Sequence, residues 1–408
     1  MAEILGRIKA DLRLKKLILF IMGVLAAVSL IQGCKNAVLV SQDFQWDAAK
    51  ALVMGIDPYE ESLDPSGTLP PEFEKYYLQM EANQFPSLLL LLFPYTLLPP
   101  LAARYAWLVS NLFFTAGIIV LLKKTFLRKA DDFTFCFFML LMIAGTPYRN
   151  QLGVGQHTLF SFFFFLLAVY CIDRKESPGR SEERSRCSFS LGACAALFVS
   201  YFKYTLTVPL SLYFVYRKRY GELILSAGLH AVLTAVCAGI LGDSYINMII
   251  KPLKVSSRLA AQGGLDLGAL LSGSPLSYLL GILILAGLFV FALIIGLGEG
   301  KHKAAGSQSD SARSAELISM LTLWALIVTY HRTYDFFVIV VVLSLMLVAG
   351  CPEYLKVMYA VTLVGVFFVL RIFSESLLSR IVVGAVYYAF TAAVTVNVFL
   401  MTNKAEGR

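Results

Sequence analysis

The chain has 408 residues, of which 58% are hydrophobic and only 15% are charged, and its mean hydropathy is +0.71. A soluble domain carries about 25% charged residues, so this composition excludes an ordinary soluble protein and predicts an integral membrane protein. The net charge of +8 lies in short basic loops, which indicates membrane orientation rather than a nucleic-acid partner.

The apolar runs predict an all-α polytopic membrane protein with about twelve transmembrane helices in one domain, residues 1–408. The N-terminal run lacks a convincing signal-cleavage site and is interpreted as a retained first span. The predicted spans are roughly 17–34, 101–122, 132–147, 157–172, 187–202, 204–216, 221–241, 276–297, 316–330, 335–350, 355–371 and 380–402.

One further apolar run, "FPSLLLLLFPYTLLPP" (85–100), is too short between its prolines to be a full span. If it is re-entrant or interfacial, all the basic loops fall on one side of the membrane. The positive-inside rule then puts both termini in the cytoplasm and the segments 35–100 and 242–275 outside. The loop 35–85 carries nine acids and three bases.

Three of those acids, Asp43, Asp47 and Asp57, lie in "QDFQWDAAKALVMGIDPY" (42–59). A helix over 43–54 would present Asp43, Asp47, Lys50 and Met54 on one face and apolar residues on the other. Gly55 would end this helix, and the chain would turn at "DPY". Two carboxylates one helical turn apart are candidates for catalysis, although Asp43 as a helix N-cap and Asp47 as a partner of Lys50 is the structural alternative.

Other polar groups lie at predicted outer loops. In "YRNQLGVGQHTLF" the side chains of Arg149, Asn150, Gln156 and His157 flank two glycines, and amides suit sugar hydroxyls because they donate and accept. Lys203 is a lone lysine at the tip of a predicted tight hairpin. Such a group near hydrocarbon is a functional candidate unless it snorkels to the surface.

Two later outer segments carry the remaining candidates. "TYHRTYDFF" places His331, Arg332 and Asp335 at the end of one span, with too few ligands for a metal site. The seven cysteines lack metal-ligand spacing as well, so no metal is expected. In 242–275, three cations interleaved with apolar residues are typical of a surface that binds a lipid phosphate, or of a solvated interfacial helix. They are Lys251, Lys254 and Arg258.

Taken in order, "DFQWDAAKALVMGIDPY", "FPSLLLLLFPYTLLPP", "GQHTLF", the lysine before "TVP", "SPLSY" and "HRTYD" resemble glycosyltransferase family 87. These are polyprenyl-phosphate-mannose-dependent mannosyltransferases of the GT-C superfamily, and the resemblance covers about residues 15–400. It implies Asp43 as catalytic base and matches Gly155-Gln156, Lys203 and His331 to family positions. The acid at Asp47 departs from the family pattern, so Asp47 stays an alternative base.

The resemblance implies an inverting transfer of mannose or another hexose from a polyprenyl-phosphate donor to a hydroxyl of a glycolipid or glycan. The lipid-linked sugar is a co-substrate, and no other cofactor is expected. The reaction would take place at the outer face of the cytoplasmic membrane, within the lipid bilayer. A transporter or lipid flippase is the alternative of another class, and a polysaccharide polymerase is a third possibility. A transporter would bury its ionisable groups near the midplane, whereas here they lie at the predicted outer boundary.

Overall fold

The computed structural model describes residues 11–41, 46–64, 82–176, 189–259, 264–298, 308–370 and 376–405. Within these ranges every regular element is a helix, which confirms the predicted all-α membrane fold. The helices are, in chain order, α1 (Leu12–Leu39), α2 (Asp47–Val53), α3 (Pro58–Leu63), α4 (Pro86–Thr96), α5 (Pro100–Lys124), α6 (Asp132–Ala144), α7 (Thr146–Val154), α8 (Thr158–Glu176), α9 (Leu191–Ser200), α10 (Tyr204–Tyr216), α11 (Tyr220–Leu241), α12 (Tyr245–Leu259), α13 (Leu267–Leu270), α14 (Pro275–Gly298), α15 (Gln308–Val328), α16 (Thr333–Met346), α17 (Glu353–Val364) and α18 (Leu377–Ala405).

The number of long apolar helices is smaller than the twelve predicted spans. Among the described residues, seven helices are long and apolar enough to cross a bilayer, or eight if the bent pair α7–α8 counts as one span. The predicted spans at 132–147 and 335–350 correspond to the shorter helices α6 and α16. The run at 85–100 forms α4, whose 11 residues reach about 16 Å at 1.5 Å per residue and cannot cross a hydrocarbon core of about 30 Å.

One of the seven, Leu191–Tyr216, turns back on itself at Lys203. Just before it, the Ser190 N–H donates to Glu222 at 2.9 Å, and just after it, Arg217 donates to Asp173 at 3.0 Å. Glu222 lies only five residues beyond Arg217, so both ends of this run lie at the same end of the bundle. A straight helix of 26 residues would separate them by about 39 Å. The predicted hairpin with Lys203 at its tip is therefore confirmed, although each arm is shorter than a span.

Contacts between loops define the two ends of the helical bundle. At one end the α5–α6 loop and the α10–α11 loop both contact the last turns of α8, through Arg128 and Arg217 on Asp173. We call it the Asp173 end. Two of the basic loops predicted to share a side therefore meet here. At the opposite end, Lys203 contacts Asp335 near the start of α16, and we call it the Lys203 end.

The first loop and the amphipathic helix α12 cover the Lys203 end. Helix α2 ends at Gly55, whose φ of +73° is a left-handed conformation that glycine adopts readily. Instead of a simple turn, the Asp57 carboxylate then caps α3 by accepting the Tyr59 and Glu60 N–H groups, with Pro58 at the first helical position. Helix α3 packs on α12, and α4 packs on α11.

Candidate functional site

The corner between α7 and α8 is the centre of the candidate site. The two helices meet at 108°. Gly155 ends α7 with a φ of +79°, and its carbonyl accepts a hydrogen bond from the Trp107 indole N–H at 2.6 Å. A side chain here would be strained by this φ and would meet the Trp107 ring at 3.3 Å, so the corner requires glycine. The corner holds residues 155–158 between two polar clusters.

On one side of the corner is a small cavity next to the start of α2. It has a volume of about 10 Å³, enough for one water molecule. Trp46 lines this cavity together with Arg104, Trp107 and Gly155. Asp47 follows directly in the chain and is only 1% exposed.

The first-loop helix differs from its prediction. Asp43 lies outside the described residues, and the helix is observed only from Asp47. Asp47 was placed on an exposed polar face, but it is buried together with Ala48, Ala51 and Leu52. The face assignment was wrong because α2 packs against α4, and five of its seven residues are buried.

On the other side of the corner lies a buried ion pair. The Lys203 ammonium is 2.6 Å from Asp335 Oδ1, and their side chains are only 9% and 1% exposed. The Thr158 hydroxyl at the start of α8 donates to the same carboxylate oxygen. Ser161, one turn further along α8, accepts the backbone N–H of Lys203 at 2.9 Å and so holds the hairpin tip in place. Two distant segments are thereby fixed to the corner.

His331 adjoins this ion pair and is fully buried. Its carbonyl accepts the Gly264 N–H at 2.8 Å, and its N–H donates to Asp266 at 3.4 Å. The ring Nδ1 is 3.1 Å from the Thr329 carbonyl, which can only accept, so Nδ1 carries the proton. Burial lowers the pKa of His331 to about 4, against an opposing effect of the Asp335 charge. The imidazole is therefore neutral at pH 7.

Asp266 is a site residue that the sequence reasoning missed. It is fully buried, and burial raises the pKa of its carboxyl to about 6, although it accepts backbone N–H groups from Ala269 and His331. It caps the short helix α13 and links the 264–271 segment to the His331 loop. A lone Asp before an apolar four-residue helix is a signal for an N-cap, and that was the only trace of it in the sequence.

The structure brings some of the other predicted residues to the corner and leaves others apart. His157 is buried against the Phe202 ring at 4.8 Å, next to the hairpin tip, and Gln156 lies in the corner itself, where its carbonyl accepts the Gln151 amide. Three residues have partners elsewhere or lie along α7. Arg149 donates to Gln32 of α1 at 3.1 Å, Asn150 follows it and is half-buried, and Arg332 donates to the Tyr330 hydroxyl at 2.6 Å.

The three predicted lipid-phosphate cations have different surroundings. The Lys251 ammonium is bound by Asp57, Asp243 and Glu60 at 2.5, 2.6 and 2.7 Å. Because of these hydrogen bonds its pKa is raised, although burial alone would lower it. Arg258 donates to the Leu63 carbonyl, and Lys254 is exposed. Lys251 is therefore a link between α3 and α12, which differs from the predicted free cation.

The three carboxylates around Lys251 have oxygens within 4.8 Å of one another, a spacing that also suits a metal ion. The lysine ammonium lies among them and offsets part of their negative charge. Hydrogen bonds from Lys251 and Asn247 lower the pKa of Asp243 to about 2. This cluster is thus an ionic link on the surface of the Lys203 end.

Comparison with known proteins gives one match. The family model of glycosyltransferase family 87 matches residues 86–329, which include Gln156, His157 and Lys203 but neither Asp47 nor His331. No curated protein and no solved structure matches the chain, so the GT-C likeness of the fold stays a prediction. The family supports a glycosyltransferase rather than the transporter or flippase considered as an alternative. Since the matched region is more than half of the chain, the protein belongs to glycosyltransferase family 87 and is a membrane glycosyltransferase.

Proposed function

We propose that this membrane glycosyltransferase moves a hexose, with mannose as the first choice, from polyprenyl phosphate to a hydroxyl of a glycolipid or glycan. One observation carries the proposal. The start of α2, which carries Asp47, and the buried Lys203 ammonium lie on the two sides of one corner, residues 155–158. A sugar transfer from phosphate needs a base for the acceptor and a cation for the leaving group.

The reaction follows from these two requirements. A carboxylate removes the proton of the acceptor hydroxyl as the hydroxyl oxygen attacks the anomeric carbon. The bond from that carbon to the phosphate oxygen breaks, its electron pair stays on the phosphate, and polyprenyl phosphate leaves with one additional negative charge. Attack opposite to the leaving group inverts the anomeric configuration. The phosphate is a good leaving group and needs stabilisation of charge more than protonation.

We assign the base to Asp43, by its position in the family motif, with Asp47 as the alternative. Lys203 is the cation for the phosphate. Its ammonium lies at the hairpin tip beside Asp335, and an ammonium donates charge-assisted hydrogen bonds to phosphate oxygens. Gln156 and His157 lie at the corner between the cavity lined by Trp46 and the Lys203 ammonium, where contact with the sugar is expected.

The orientation in the membrane is part of the proposal. The basic loops gather at the Asp173 end, through Arg128 and Arg217, and cytoplasmic loops are enriched in Lys and Arg. We therefore assign the Asp173 end and both termini to the cytoplasmic side of the cytoplasmic membrane. The Lys203 end, with the active site, then faces outwards.

A donor panel tests the proposed activity. Purified protein in detergent or nanodiscs is incubated with polyprenyl-phosphate mannose, glucose, galactose and arabinose and with a glycolipid extract as acceptor. We expect release of polyprenyl phosphate with one hexose donor and appearance of a glycosylated lipid of inverted anomeric configuration. If no donor is consumed while the protein is monodisperse, the proposed donor class is wrong.

Cysteine labelling tests the orientation. Ser257→Cys on α12 and Lys129→Cys in the α5–α6 loop place thiols at exposed positions of the two ends. In intact cells an impermeant maleimide should label the residue at 257, and the residue at 129 only after permeabilisation. Labelling above that of the unsubstituted protein at 129 in intact cells would contradict the assignment.

A further inference from the structure

At the Lys203 end, two acceptor atoms next to the ion pair are buried without a hydrogen-bond partner. They are Nε2 of His331 and Oδ2 of Asp335, and neither finds a partner among the described residues. Both side chains are fully buried; His331 lies in the loop that joins α15 to α16, and Asp335 lies in the first turn of α16. A buried polar atom without a partner destabilises a protein by about 1–3 kcal/mol, so each requires an explanation.

Both of these atoms are hydrogen-bond acceptors. The proton of His331 lies on Nδ1, because the Thr329 carbonyl next to Nδ1 can only accept, and therefore Nε2 has a free lone pair. Lys203 and Thr158 both donate to Oδ1 of Asp335, so the lone pairs of its Oδ2 are free as well. The pair thus offers two hydrogen-bond acceptors and no donor. An anion such as phosphate has no proton to give, whereas a sugar hydroxyl donates one.

We propose that His331 Nε2 and Asp335 Oδ2 form a subsite for hydroxyl groups of the donor sugar, adjacent to the Lys203 ammonium. This inference rests on the proposed function and deepens it. The anomeric carbon is bonded to the phosphate oxygen, so a phosphate at Lys203 places the sugar beside its counter-ion Asp335. The roles are then divided: Lys203 binds the phosphate, and the two acceptors bind hydroxyls.

This assignment gives His331 a specific role in substrate binding. As a fully buried imidazole held neutral, it does not store a proton near pH 7, and it accepts a hydrogen bond instead of acting as a base. Asp335 has two functions in one carboxylate, since one oxygen holds the ammonium and the other meets the substrate. Both acceptors are covered in this conformation, so the Lys203 tip or the loop 329–332 has to move aside for a hydroxyl to reach them.

Deoxy donors test the subsite. The probe is the hexosyl polyprenyl phosphate that the wild type uses, compared with its 2-, 3-, 4- and 6-deoxy analogues, and kcat/KM is measured for each. We expect one or two analogues to be about 10- to 100-fold poorer for the wild type, because a site with buried acceptors is left unpaired. His331→Phe should be poor with the parent donor and should lose at most about threefold further with the analogue that lacks the bound hydroxyl.

A conservative variant and a control complete the design. His331→Gln places an amide oxygen near the position of Nε2 and should restore both the activity and the discrimination between donor and deoxy donor. Thr362→Val removes another buried atom without a partner among the described residues, Oγ1 of Thr362 on α17, and should change no kinetic constant by more than about twofold.

The outcomes separate this inference from the proposed function. If the wild type accepts all four deoxy analogues within about threefold of the parent, there is no hydroxyl subsite, whatever the variants do. If His331→Phe folds and discriminates as the wild type does, His331 is not part of it. If the wild type consumes no polyprenyl-phosphate hexose, the proposed function is overturned and the subsite with it.

Discussion

Asp173 and Asp335 are both aspartates held by cations, at opposite ends of the bundle, yet their bonding differs. At Asp173 each carboxylate oxygen has its own arginine, Arg128 on Oδ2 at 2.9 Å and Arg217 on Oδ1 at 3.0 Å. At Asp335 one oxygen takes both the Lys203 ammonium and the Thr158 hydroxyl, and the other takes nothing among the described residues.

The difference separates a structural ion pair from a candidate for substrate binding. A carboxylate that is bonded on both sides has completed its interactions and serves to join helices. A buried carboxylate bonded on one side only keeps unused capacity in a place where water does not satisfy it. Burial differs in the same sense, since the side chain of Asp173 is 15% exposed and that of Asp335 is only 1% exposed.

The largest effect is expected from the carboxylates of the first loop. Asp43→Asn should lower turnover of a polyprenyl-phosphate hexose by about 100-fold or more, because a general base contributes 10²–10⁴-fold. Donor binding should remain, since the amide keeps the shape of the side chain. Asp173→Asn, at the other end of the bundle, is the matched control and should stay within about twofold in turnover.

Asp47→Asn decides between the two first-loop carboxylates. If Asp47→Asn is inactive and Asp43→Asn retains turnover, the base is Asp47, next to the cavity lined by Trp46. If both variants remain active, catalysis does not depend on the first loop, and the contrast between the two ends of the bundle fails as a guide to function.

Removing the cation from each aspartate should give the next largest effect. Lys203→Ala leaves Asp335 buried without a counter-ion, and we expect a loss of about 3–5 kcal/mol in the free energy of unfolding. A phosphate contact of about 1.5–3 kcal/mol is lost as well, so donor affinity should fall by about one to two decades. Arg217→Ala leaves Asp173 with Arg128, and the expected loss is about 1 kcal/mol or less.

Thermal unfolding and donor titration on the same samples measure both quantities. Lys203→Arg should restore stability in part, because its guanidinium has a different shape from an ammonium. If Lys203→Ala and Arg217→Ala lower the free energy of unfolding by equal and small amounts, the ion pairs at Asp335 and Asp173 do not differ as we propose.

A smaller effect is expected at the Lys251 link, where one ammonium at the Lys203 end bonds three carboxylates. Lys251→Met should release α3 from α12 and raise amide hydrogen exchange in Pro58–Leu63 by about tenfold, since about 1.4 kcal/mol corresponds to one decade. Lys254→Met, on the exposed side of the same helix, should leave this exchange unchanged. Equal exchange in both variants would show that Lys251 does not hold the loop.

The same link should depend on pH in a defined direction. The pKa of Asp243 in the folded state is about 2, below its usual 3.8, because of hydrogen bonds from Lys251 and Asn247. A carboxyl with a lowered pKa contributes stability above its unfolded pKa and loses it as pH falls through the folded pKa. Pepsin cleavage near α3 should therefore rise between about pH 4 and pH 2 in the wild type and stay nearly constant in Lys251→Met.

Part of this architecture was predictable from local sequence. The glycine pair and the amide-rich segment around Gln156 indicated a polar corner, and a lone lysine between two short apolar runs indicated a hairpin tip. The run 85–100 was too short to span, and the observed α4 agrees. Each of these inferences needs only a window of about 15 residues, which is the range over which periodicity and charge spacing carry information.

The ion pairs between distant residues were not predictable from local sequence. Lys203 and Asp335 are 132 positions apart, and Lys251 and Asp57 are 194 apart. Such contacts depend on how the helices pack, and no local pattern encodes them. For the same reason Lys251 was interpreted as a free cation, Asp47 as exposed, and Asp266 went unnoticed.

The hairpin of α9 and α10 also bears on how the chain is made. Its arms of 10 and 13 residues are about 15 and 20 Å long, too short for either to be threaded across the bilayer as an independent segment. The hairpin enters and leaves the bundle at the Asp173 end. Whether it inserts early or late, it therefore does not change the direction in which any other helix crosses the membrane. Lys203 emerges from the ribosome 132 residues before its counter-ion. The ion pair of Lys203 with Asp335 therefore forms only after α16 has been synthesised.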